Sequence, residues 1–118
     1  MTVTHRTIGP VVVLELTGTL GAGTDVAFLD NVHSNLCEGR RAFVINLSGV
    51  SHIDSTGLGT LLATHTAVAG SGGRMVLSNL TQRIRNVMAI AKLVTVFDAF
   101  DTEDEAIAAL AGQVPTST

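Results

Sequence analysis

In the stretch Ala42-Phe43-Val44-Ile45-Asn46-Leu47-Ser48-Gly49-Val50-Ser51-His52-Ile53-Asp54-Ser55-Thr56-Gly57-Leu58-Gly59 the chain changes character twice. Ala42 to Leu47 is nearly all apolar, which suits a strand covered on both faces. Ser48 to Ile53 reads as a short connector. Beyond Asp54 the spacing turns helical: Leu58, Leu61, Leu62 and Ala69 fall on one face of a helix that ends at Gly70. A buried strand leading into an amphipathic helix is one β-α unit, and both flanks repeat the theme.

On the C-terminal side, Gly70-Ser71-Gly72-Gly73 is a turn and Arg74 to Leu77 another strand. Asn79 to Lys92 places Ile84, Val87, Met88 and Ala91 at helical spacing, with Arg83, Arg85 and Asn86 on the other side. Val94 to Phe97 reads as a short strand. Thr102 and Glu105 form a capping box before a final Ala/Leu helix to Ala111. On the N-terminal side, Thr2 to Ile8 alternates loosely and Val11 to Leu16 is β-branched and apolar. Gly9-Pro10 lies between them, so the two read as a hairpin. Gly18 to Gly23 reads as a glycine-rich loop. Thr24 suits a helix N-cap, with Asp25 in the first turn. Val26, Leu29, Val32 and Leu36 then recur helically until Gly39.

The order is β-β-α-β-α-β-α-β-α. Alternation after the hairpin implies parallel strands joined by right-handed crossovers. The expected fold class is α/β: a single domain over residues 1–112, with a mixed, mostly parallel β-sheet, an N-terminal hairpin and four packed helices. Residues 113–118, rich in Pro, Ser and Thr, read as a flexible C-terminal tail.

Composition narrows the function classes. A chain of 118 residues fits one domain and can bury about two thirds of its unfolded surface. Hydrophobic residues at 46% against 14% charged exclude intrinsic disorder. A formal net charge of −3 and only 3% aromatics make a poor nucleic-acid binder, because phosphate neutralisation and base stacking supply that affinity. Met1 to Pro10 has no continuous apolar segment of the secretory type, and Val11 to Leu14 meets Glu15 far short of a membrane span. A cytoplasmic protein with no membrane partner and no cofactor is expected, and the sequons at Asn46 and Asn79 are then chance matches. Cys37 stands alone, so it forms no internal disulfide and reads as a small apolar filler on a helix.

Asp54-Ser55-Thr56-Gly57-Leu58-Gly59 is the one unusual segment. Ser55 lies at a helix N-terminus, where free N–H groups and the helix dipole favour negative charge. Its hydroxyl should be exposed, since the periodic core face begins only at Leu58. Gly57 and Gly59 each cost about 1 kcal/mol in a helix relative to Ala, which makes sense where something approaches the backbone closely. The plainer alternative is that Ser55 is only a cap and the glycines relieve packing against the sheet.

With Val44-Ile45-Asn46-Leu47 and Val50-Ser51-His52-Ile53 before it, this motif resembles the core of STAS domains, and more narrowly that of bacterial anti-sigma factor antagonists. The resemblance continues through Gly72 to Leu77, Ile84 to Met88, Val96-Phe97 and the segment from Glu103 to Leu110. It implies partner switching. The family's phosphorylated hydroxyl, directly after the motif aspartate, falls on Ser55, with Thr56 a weaker candidate whose plain alternative is a bond to nearby backbone. Unmodified, such a protein binds an anti-sigma factor with serine kinase activity and frees a sigma factor. Phosphorylation releases the antagonist, and a serine phosphatase resets it. Asp54, Ser55, Thr56, Gly57, Leu58 and Gly59 would line the docking surface. Where the family has Gly-Glu-x-Asp in the loop after the second strand, the loop here is Gly18-Thr19-Leu20-Gly21-Ala22-Gly23-Thr24, without either acid and with Asp25 only later, and the family's Gly-Leu near the end of the third helix is here Lys92-Leu93.

Four other readings are open to the sequence. A STAS module could dock on a transporter ATPase or a larger signalling assembly through the same surface without phosphorylation. A hydrolase built on His52, Asp54 and Ser55 is disfavoured: neighbours in a strand-to-helix turn point in divergent directions, and no Gly-x-Ser-x-Gly elbow is present. His5, His33, His52 and His65 have no metal-ligand spacing. The glycine cluster 70–73 precedes a strand and lacks the Lys-Ser/Thr of a phosphate loop.

Overall fold

The computed structural model describes residues 2–21, 26–93 and 96–113. Their elements follow the order expected from the sequence: β1 (Thr2–Ile8), β2 (Val11–Leu20), α1 (Val26–Cys37), β3 (Ala42–Ile53), α2 (Ser55–Gly70), β4 (Arg74–Ser78), α3 (Gln82–Ile90), β5 (Ala99–Phe100) and α4 (Glu103–Gln113). They form a single α/β domain with a mixed sheet in the spatial order β1-β2-β3-β4-β5.

Gly9, with φ +59, turns the chain between β1 and β2, which pair antiparallel from Thr2↔Thr17 to Ile8↔Val11. The remaining neighbours are parallel. Each parallel step therefore needs a crossover, and α1, α2 and α3 supply them. All steps go the same way across the sheet, so right-handed crossovers put the three helices on one face. The core agrees: Phe28 of α1, Leu61 of α2 and Ile84 of α3 share a cluster with Val12, Leu14, Phe43, Ile45, Met75 and Leu77. Alternate strand residues, Val11, Val13, Val44 and Val76, face the other way and meet Ala106 and Leu110 of α4. That double cover explains the unbroken run Val11 to Leu14, each residue fully buried.

A polar tie crosses the α4 face. Glu103 of α4 accepts from Arg6 of β1 at 2.6 Å and from Asn46 of β3 at 2.7 Å, while the side-chain oxygen Oδ1 of Asn46 accepts the Ser48 N–H at 2.8 Å. Burial pushes the Glu103 carboxyl up, but the hydrogen bonds from Arg6 and Asn46 and the charge of Arg6 outweigh it and hold the group below its ordinary value.

Several boundaries differ from the sequence expectation. The loop expected from Gly18 and the connector expected at Ser48 to Ile53 are strand: β2 and β3 stay paired to Leu20↔Ile53, through irregularities after Glu15 and Gly18. The glycine at 49 marks close strand packing, since a Cβ there would lie 2.9 Å from the Thr17 hydroxyl and 3.0 Å from the Leu16 carbonyl. The fifth strand is Ala99–Phe100. Val94 and Thr95, assigned to it, lie outside the described residues, and Phe97 is buried edge-on to His65. In α1 the buried side chains are Phe28, Val32 and Asn35, whereas Val26 is 59% exposed; the expected caps Thr24 and Asp25 are outside the described residues. The third helix is shorter than the expected 79–92. Left-handed backbone at Asn79 (φ 57) and Lys92 (φ 60) brackets it, and Thr81 caps it by accepting the Ile84 N–H at 3.2 Å. The Thr102/Glu105 capping box forms in both directions, at 3.2 and 3.3 Å. Gln113, read as tail, closes α4; the tail beyond it is outside the described residues.

Candidate partner-docking site

β3 ends on buried Ile53, and the chain turns into α2 through Asp54, whose backbone is extended (φ −111, ψ −176). This is N-cap geometry. The Asp54 carboxylate accepts the Gly57 N–H at 2.9 Å, and its own N–H donates to the Leu20 carbonyl at 3.2 Å. Asp54, not Ser55, therefore caps the helix. Ser55 and Thr56 are the first residues of α2 and are exposed, as expected for Ser55 from the apolar pattern. Leu58 is half-buried and packs against the core edge, while Gly59 is exposed with open space where a Cβ would stand.

The two motif glycines serve different ends. Gly57 is buried, and a Cβ on it would overlap the Leu20 carbonyl. What approaches its backbone is the chain's own β2, so here the packing alternative holds. Gly57 lies beneath the site and shapes it from below. Gly59 faces outward. Sequence reasoning missed the seat itself, Leu20 and Gly21. Gly21 is buried, and a Cβ on it would stand 2.7 Å from Asp54 Cγ and 2.8 Å from Asp54 Oδ1. The signal was the glycine at 21, read as loop flexibility rather than close approach. The segment Gly18-Thr19-Leu20-Gly21, the described part of the loop that lacks the related motif's acidic pair, does border the helix start, with Asp54 donating its N–H to the Leu20 carbonyl.

The buried face of α2 also differs from the expected Leu58, Leu61, Leu62 and Ala69. It consists of Gly57, Thr60, Leu61, Thr64 and Val68. Thr60 donates to the Thr56 carbonyl at 3.1 Å and Thr64 to the Thr60 carbonyl at 3.0 Å, so both hydroxyls are satisfied within the helix and can be buried. Leu58 and Leu62 are thereby rotated to the helix flank, partly open to solvent.

The histidines are dispersed. His5 pairs with Asn35 at 3.2 Å, His65 meets Phe97 edge to face with centroids 5.1 Å apart, and His33 and His52 are exposed. Among the described residues no three His, Cys, Asp or Glu side chains converge. Among the described residues, too, no helix is long and apolar enough to cross a membrane.

The fold has solved counterparts. A candidate anti-sigma factor antagonist of Thermotoga maritima, TM1081, superposes with a TM-score of 0.85 at 24% identity, covering 92% of this chain and 94% of that one. The anti-sigma factor antagonist SpoIIAA in its unphosphorylated form gives 0.75 at 23% identity, covering 94% and 99%. The Bacillus cell fate determinant SpoIIAA in its phosphorylated form gives 0.71 at 23% identity, covering 90% and 96%. The sequence itself matches the STAS domain over residues 2–106, from β1 into α4. That span takes in the capped start of α2 and its seat on β2, and with it the chain belongs to the STAS domain family.

Proposed function

We propose that this protein is an anti-sigma factor antagonist that works by binding rather than catalysis and is switched by phosphorylation of Ser55. The observation that carries this is the exposed Ser55 hydroxyl in the first turn of α2, with Asp54 already doing the capping. Its partner would be an anti-sigma factor with serine kinase activity, in the cytoplasm, and a serine phosphatase would reset it. The likeness to SpoIIAA, solved in unphosphorylated and phosphorylated forms, supports the reading.

The docking surface consists of Asp54, Ser55, Thr56, Leu58 and Gly59, over Gly57. Phosphorylation breaks the terminal phosphoanhydride bond of ATP and forms a bond from phosphorus to Ser55 Oγ; ADP departs and the hydroxyl proton is released. The product carries about −1.5 to −2 charges at neutral pH. The helix N-terminus favours that charge, so α2 has no reason to unfold. Asp54, one residue away, repels it. In the centre of an interface an uncompensated buried charge weakens binding by several kcal/mol, so the fold persists while the partner leaves.

The test is incubation with the candidate kinase and ATP, followed by phosphosite mapping by mass spectrometry and affinity measurement. Phosphate is expected on Ser55. Ser55→Ala should retain binding, and Ser55→Glu should lose at least tenfold. Phosphate on Thr56 alone would move the switch by one residue. Equal affinities for wild type, Ser55→Ala and Ser55→Glu would favour docking on a transporter ATPase or signalling assembly without phosphorylation, a reading to which the absence of an acidic pair from the loop at residues 18–24 lends weight.

A further inference from the structure

β5 closes the sheet on the side away from β1, and among the described residues no strand lies beyond it. Its bonding to β4 is one-sided: the Leu77 N–H donates to the Asp98 carbonyl at 2.9 Å and the Asn79 N–H to the Phe100 carbonyl at 3.1 Å. Backbone polar groups alternate sides along a strand, so Ala99, between these acceptors, turns its N–H and C=O outward. Ala99 is exposed, and among the described residues these two groups have no backbone partner.

A hollow lies on each face of this edge, and both reach Ala99 and Phe100. On the α3 face, a cavity of about 510 Å³ has Leu80, Met88 and Phe97 in its walls, together with Arg74 and Arg85. Both arginines are already paired, Arg74 with Asp98 at 2.5 Å and Arg85 with Asp101 at 3.1 Å, so this cavity selects chiefly by apolar contact. On the α4 face, a more open groove of about 630 Å³ is bounded by Ala108, Ala109, Asp101 and Glu105, and among the described residues no basic side chain lines it.

We propose that the β5 edge takes up a short extended segment of a partner protein as an added strand. Successive side chains of a strand point to opposite faces. Neighbouring residues of the segment therefore meet different hollows, an apolar side chain in the α3-face cavity and a Lys or Arg beside Glu105, next to Asp101, which already pairs with Arg85. Hydrogen bonds to Ala99 set the register, as in other cases of strand addition to an open edge, and the acidic groove makes a basic residue the complementary choice. This surface uses other elements than Ser55 does, so the two can be occupied together.

The probe is the pentapeptide Val-Lys-Val-Lys-Val, compared with Val-Glu-Val-Glu-Val, titrated into the full chain labelled with nitrogen-15. The lysine peptide is expected to shift the Ala99 amide resonance and to bind at least tenfold more tightly than the glutamate peptide. Ala99→Pro removes the outward donor without touching the ladder to β4, a place where an edge strand tolerates proline, and should weaken the lysine peptide at least tenfold. Glu105→Gln keeps the capping-box acceptor but not the charge, and should narrow the preference between the peptides severalfold; it decides the matter if Ala99→Pro fails to fold. Equal binding of both peptides, binding of neither, or affinity unchanged in both variants would overturn the proposal. Self-association abolished by Ala99→Pro would overturn it as well, assigning the edge to a second copy of this chain.

Discussion

Gly57 and Gly59 stand two positions apart in one helix, yet their replacement by alanine should act in opposite directions. A methyl at Gly57 meets the Leu20 carbonyl, which is backbone and cannot swing away. Gly57→Ala should destabilise by about 2 kcal/mol, within the range for overpacking. At Gly59 the space is open, and Gly59→Ala should stabilise by about 0.5–1 kcal/mol through helix propensity and a less flexible unfolded chain. Urea midpoints of the two variants check both signs. A second test concerns the seat of the cap. Asp54→Ala should cost about 1 kcal/mol as a lost N-cap. Gly21→Ala should cost at least as much in the wild-type background, because the methyl drives the carboxylate off the Gly57 N–H, and far less once Asp54 is alanine. That non-additivity, read from a double-mutant cycle in urea, is the signature of direct contact. Equal costs in the two backgrounds would mean that Gly21 acts elsewhere.

Among the elements, β1, β3 and α4 are joined through Glu103, which receives Arg6 and Asn46. Its carboxyl is held below its ordinary value in the fold, so in the acid range the unfolded chain binds the extra proton. The stabilisation is therefore complete above the ordinary carboxylate range and is lost as pH falls through that range and then through the lower native value. Glu103→Gln should show a flatter fall in urea stability on acidification than wild type, with the difference largest near neutrality. The elements themselves were legible where apolar periodicity was strong: the hairpin, the buried core of β3, and the Ile84/Met88 face of α3. The rest was hidden for identifiable reasons. Gly18 and Gly49 have loop composition but sit in a paired ladder, and Ser48 and Ser51 fall at its two irregularities. Thr60 and Thr64 look polar in sequence and are buried because they bond back to their own helix. At the candidate site, Ser55 and its exposure could be read from the chain, whereas the Leu20–Gly21 seat depends on a contact between segments far apart in sequence.

For the molecule as a whole, the sheet is covered on both faces only over part of its breadth. Val12, Phe43, Val44, Ile45 and Val76 are fully buried, whereas β1 and β5 lie at the edges with mostly exposed residues. Native-state hydrogen exchange should accordingly be slowest at those central amides and fastest in the two outer strands, since local opening draws on regions with few buried contacts. Uniform protection across the sheet would contradict this. The central strands also differ in reach. β3 pairs with β4 only as far as Asn46↔Ser78, then continues beside β2 alone to Ile53 before delivering the start of α2. Along that overhang Thr17, Thr19, Ser51 and His52 are open to solvent, while Val50 and Ile53 anchor it below. The tip can thus change its surface residues without disturbing the anchored side. Under the proposed function, in a cell holding several proteins of this architecture, drift along the overhang would be a cheap way to keep one partner pair from cross-reacting with another.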